Sequence, residues 1–128
     1  MDTGGNAGGQ SSVTIIRSLS LGDIEFSDLM SIIWKEIRVG LICGITLAAA
    51  NFVKLLIIDS ATIPVAAVVC STLVITVVFA QLVGCSLPLI AKKVGFDPAV
   101  MASPFITTIV DALSLMVYFK IAQLFLHI

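Results

Sequence analysis

The residue best placed to do chemistry is Asp111. It is the only acid in an apolar run from Ala99 to Phe119. A charge near the centre of a membrane helix costs about 2.5–3.5 kcal/mol on insertion scales. Such a residue normally faces a partner, a cavity or an ion. No basic residue lies within two helical turns of it in its own segment. Water together with a cation is the cheapest way to keep the carboxylate charged, which makes an ion pathway the leading expectation. The plainer alternative is a hydrogen bond that ties one helix to another.

A second unusual group stands at the other end of the chain. Residues 1–12 hold four of the nine glycines, Gly4, Gly5, Gly8 and Gly9, among Asn6, Gln10, Ser11 and Ser12. Two small-xxx-small patterns overlap here, and such spacing lets helix backbones approach closely. Glycine also leaves backbone carbonyls open, and these are suitable oxygen partners for a hard cation or its waters. Composition alone favours a flexible leader for such a segment.

The elements that must position these residues are membrane helices. The chain has 128 residues, 59% hydrophobic and 12% charged, with a mean hydropathy of +1.15. A soluble domain is nearer half apolar and a quarter charged. The net charge of −1 points to neither nucleic acid nor an anionic surface as a partner. Cys43, Cys70 and Cys85 match no metal-binding spacing and read as reduced, buried small hydrophobes. His127 has no ligand partner nearby in sequence. No basic stretch followed by an apolar stretch opens the chain, so insertion would use the internal helices. No Walker motif and no hydrolytic constellation is visible, so an enzyme is not expected.

Three stretches are long enough to span a bilayer, at about 39–58, 63–91 and 99–126. Lys54 would snorkel from the end of the first. The second is longer than one crossing needs and should tilt or break, with Gly84 and Pro88 as its weak points. Pro98 and Pro104 mark the start of the third. Short connections imply antiparallel neighbours. Lys92 and Lys93 place their loop in the cytoplasm, with Arg17, Lys35 and Arg38 on the same side. Residues 20–38 form a connection in which Ser27 is placed to cap a short helix. Leu29, Ile32, Ile33 and Glu36 give that helix one stripe, with Trp34 near the interface. It would lie along the inner membrane face, or else simply extend the next span. Gln81 and Asn51 are expected to hydrogen bond between helices. The fold class is therefore all-α, a polytopic membrane helix bundle, multi-pass in the inner or plasma membrane and in contact with lipid.

Several blocks resemble the membrane domain of the MgtE family of magnesium channels. They are Gly4-Gly-Asn-Ala-Gly-Gly-Gln-Ser-Ser12, Ile15-Ile-Arg-Ser-Leu19 and Leu21-Gly-Asp-Ile24. Further matches are Trp34-Lys-Glu-Ile-Arg-Val-Gly-Leu41, Ala80-Gln-Leu-Val-Gly84, Leu87-Pro-Leu89 and Lys92-Lys-Val-Gly-Phe-Asp-Pro-Ala99. Ser103-Pro-Phe-Ile-Thr-Thr-Ile-Val-Asp111 completes the series. The resemblance implies a homodimer with five membrane helices per subunit and an ion path along the dimer interface. It makes residues 1–19 the end of a pore-lining second helix rather than a leader. The remaining spans become helices three to five, and the chain looks like a fragment that lacks the first helix.

By the same resemblance Asp111 is the pore acid, with Mg²⁺ as the transported ion. A pair of carboxylates would hold that ion through its water shell. Thr107 and Ser103 share a face with Asp111 at i, i+4 and i+8. Asn6, Gly9 and Gln10 would approach from the second helix. Some family members carry asparagine at the positions of Gly9 and Ser103, so an additional site toward the cytoplasm is expected to be weak or missing. Two other readings remain beside the channel. One is a secondary divalent-cation transporter or antiporter, and the other is a non-conducting assembly subunit or fragment.

Overall fold

The computed structural model describes residues 2–101 and 103–127; of Asp2, Met101 and Ser103 it describes the backbone only. Four helices follow one another: α1 (Asp2–Ser20), α2 (Leu29–Ile57), α3 (Ile63–Val94) and α4 (Ser103–Leu126). Short 3-10 turns at Phe26–Asp28 and Pro98–Met101 precede α2 and α4. The architecture is an all-α membrane helix bundle. Among the described residues, three helical stretches are long and apolar enough to cross a bilayer: Phe26–Ile57, Ile63–Val94 and Pro104–Leu126.

The chain bends where local chemistry stops each helix. Gly95 adopts a left-handed conformation after α3. Its N–H reaches the Lys92 carbonyl, and the Phe96 N–H reaches the Ala91 carbonyl. This pattern satisfies carbonyls that the helix end would otherwise leave orphaned. Pro64 falls in the first turn of α3, where its missing N–H costs nothing. Pro104 plays the same part in α4.

α3 is the central element and packs against α1, α2 and α4; α1 also packs against α4. The contacts fix the directions. Gly4, Gly8 and Leu19 of α1 lie beside Thr76, Ala80 and then Leu89 of α3, so these two helices run parallel. Gly40 and Gly44 of α2 face Val78 and Val74, so α2 runs antiparallel to α3. Without water to drive apolar groups together, membrane helices rely on close packing of small residues. The buried face of α2 is accordingly Gly40, Gly44 and Ala48, beyond Glu36.

The structure decides three sequence expectations. α3 continues through Gly84 and Pro88 as one helix of 32 residues, about 48 Å long at 1.5 Å per residue. Pro88 is fully buried, as are Cys85 and Leu89, and the helix is not broken there. The stretch 29–38 is no separate surface helix but the extension of the next span, the other of the two sequence readings. It forms the first turns of α2, whose N-cap is Asp28 rather than Ser27. Cys43 is exposed on α2, while Cys70 and Cys85 are buried, and all three are free.

Candidate metal site

α1 is the polar helix of the bundle, and its two faces have different tasks. One face consists of small buried residues. A Cβ at Gly84 of α3 would collide with the carbonyl of Gly8, so the two backbones touch at this crossing. A Cβ at Gly5 would stand 2.9 Å from Cγ2 and 3.3 Å from Oγ1 of Thr107 on α4. The opposite face exposes Asn6, Gln10, Val13 and Arg17. A face with this polarity among membrane spans needs water or another chain beside it.

Asp111 lies one turn beyond Thr107 on α4 and is half-buried. Its Oδ1 is fully buried and has no hydrogen-bond partner among the described residues. A buried carboxylate oxygen without a partner bears its desolvation cost uncompensated, so the position is open to a hydrogen-bond donor or a cation. Thr108 donates to the Pro104 carbonyl at 2.9 Å, a bond back along its own helix. Among the described residues Thr107 makes no such bond, and its hydroxyl lies against Gly5 of α1.

The sequence-predicted residues thus fall on two facing helices. Thr107 and Asp111 share α4 with the backbone of Ser103, whose side chain lies outside the described residues. Asn6 and Gln10 share the exposed face of α1, whereas Gly9 is buried. No three acidic, histidine or cysteine side chains converge among the described residues. Asp111 is therefore the single carboxylate where α1 meets this part of α4, and the described side chains alone do not make up the roughly six oxygens that a hard divalent cation takes.

Other polar groups brace this arrangement, and sequence reading placed them poorly. Ser11 donates to the buried Glu36 carboxylate at 3.0 Å and lies 3.3 Å from the Gln81 carbonyl. The bond ties α1 to α2 across the edge of α3. Gln81 contributes here through its backbone oxygen. Ser114, one turn past Asp111, is buried and bonds to the Val110 carbonyl at 2.7 Å. It stands 3.6 Å from a Cβ placed at Gly4. Its spacing from Thr107 and Asp111 was the available signal. Asn51 lines a 310 Å³ hollow with Thr72, Thr76 and Tyr118.

The family profile described as "MgtE: Divalent cation transporter" matches residues 1–121. "Magnesium transporter MgtE" of Thermus thermophilus is 37% identical over 128 residues, covering 99% of this chain and 28% of the relative. The protein of the same name in Enterococcus faecalis is 33% identical, covering 98% of this chain and 27% of its own length. That of Bacillus subtilis is 34% identical, with 96% and 27% covered. The chain spans just over a quarter of the length of these relatives. The match runs from the glycine face of α1 through the Thr107–Asp111 turn of α4, and on this basis the chain belongs to the MgtE family of divalent cation transporters.

Proposed function

We propose that this chain forms the ion-conducting part of a Mg²⁺ channel, with the path along the interface of a homodimer. The observation that carries the reading is the unpartnered, buried Oδ1 of Asp111 in an apolar helix. It supports a cation as the missing partner. Two copies would set two Asp111 carboxylates across the axis, spaced for an ion that keeps most of its waters. Mg²⁺ gives up water reluctantly, so recognition through the water shell favours it over weakly hydrated monovalent ions. Thr107 would meet ion-bound water through its hydroxyl. Asn6 and Gln10 would line the path from α1, while the backbone at Gly9 and the first turn of α4 at Ser103 lie toward the cytoplasmic end. A negative-inside potential of roughly 100 mV favours entry of a divalent ion by about 4.6 kcal/mol, so no energy-coupling domain is required.

The test is Mg²⁺ uptake in cells deficient in magnesium transport. The chain is expressed alone and also in place of the matching segment of the Thermus thermophilus relative. Uptake is expected in at least the second form, and Asp111→Asn is expected to lower it by at least about tenfold, the equivalent of 1.4 kcal/mol. Undiminished uptake in the variant removes Asp111 from the ion path.

A further inference from the structure

One end of the bundle carries a hollow that the ion path does not use. It measures about 380 Å³ and lies between the turn after α1 and the last turns of α3. Its floor is apolar: Leu19 and Leu89 are buried there, and Phe26 lies beside them. Its rim carries Lys92, Lys93 and Glu25. Both lysines are held in place by neutral groups. Lys92 Nζ stands 3.5 Å from the Leu19 carbonyl, and Lys93 Nζ stands 4.0 Å over the Phe26 ring. Among the described residues neither forms an ion pair; the pair that exists, Lys54–Asp59, belongs to the opposite end of the bundle. Two cations therefore face one carboxylate above an oily floor.

We infer that this hollow binds the headgroup of an anionic glycerophospholipid of the inner leaflet. The inference is independent of the ion path. Basic pockets between membrane helices on the cytoplasmic side suit phosphate headgroups, and the positive-inside rule assigns this end to the cytoplasm. Charge complementarity places the phosphodiester at Lys92 and Lys93. The glycerol backbone and upper acyl chain lie on Leu19, Phe26 and Leu89. Glu25 accepts a hydrogen bond from a headgroup hydroxyl, which favours phosphatidylglycerol over a bare phosphate monoester. A soluble phosphate lacks the apolar part and gains nothing from the floor.

The test is the melting temperature of the purified chain in neutral detergent, titrated with phosphatidylglycerol, phosphatidylcholine or inorganic phosphate. Phosphatidylglycerol is expected to raise it, with the other two far behind. Lys93→Gln is expected to weaken the apparent affinity about fivefold, in line with one surface lysine near an anionic headgroup. Lys93→Arg should restore it, and Lys54→Gln at the other end should leave it unchanged. Lys93 is exposed, so its substitution leaves the core intact. An equal response to phosphatidylcholine, an equal response to inorganic phosphate, or an unchanged affinity in Lys93→Gln overturns the assignment.

Discussion

At the scale of single residues, two carboxylates inside one bundle meet opposite fates. Glu36 is 8% exposed and is satisfied by the Ser11 hydroxyl. Asp111 keeps an oxygen without a partner. The first is a brace, and the second is the residue we propose as the binding position. Ser11→Ala should therefore destabilise the fold by about 1–3 kcal/mol, because it leaves a buried charge without its donor. Paired with Glu36→Gln in a double-mutant cycle, it should show a coupling above about 0.5 kcal/mol. Thermal melting in detergent reads this, and an unchanged melting point for Ser11→Ala would contradict the bracing role. Asp111 stands out in sequence because its cost is local: an acid with no counter-charge in reach of its own helix. Glu36 could not be read that way. Its partner is 25 residues away, and the pairing arises only when α1 and α2 meet over α3.

At the scale of elements, α1 shows what composition misses. Glycine is about 1 kcal/mol worse than alanine in a helix, so a segment with Gly4, Gly5, Gly8 and Gly9 reads as a leader. The structure makes it a helix of 19 residues. The compensation is tertiary: the absence of side chains lets α1 touch α3 at Gly84 and α4 at Thr107. Gly84→Ala would put a methyl group into the Gly8 carbonyl and should cost about 1–3 kcal/mol, as overpacking does. A melting temperature equal to that of the unmodified chain would mean that the helices do not meet there. The three apolar spans were legible from length and hydropathy. The join between residues 29–38 and the following span was legible only as one of two readings, because the polar positions Lys35, Glu36 and Arg38 resemble a surface helix until Glu36 finds its partner.

At the scale of the whole molecule, the bundle leaves unlike surfaces exposed. α2 presents Ile42 and Ile45, as a lipid-facing helix should. α1 presents Asn6 and Gln10. If that face lines a water-filled path, a cysteine at position 10, in a background with the native cysteines replaced, should react with a membrane-impermeant thiol reagent. A cysteine at position 42 should stay unreactive. Equal protection of both positions in the assembled protein would argue against water beside α1.

Central to this account is passive movement of Mg²⁺ past Asp111, and flux into liposomes tests it most directly. The protein that supports uptake in cells is reconstituted, a potential is imposed, and no proton or sodium gradient is present. Mg²⁺ entry that follows the potential and falls by at least about tenfold in Asp111→Asn is the predicted result. Entry that requires an opposing proton gradient, or that is the same with and without the carboxylate, would contradict it.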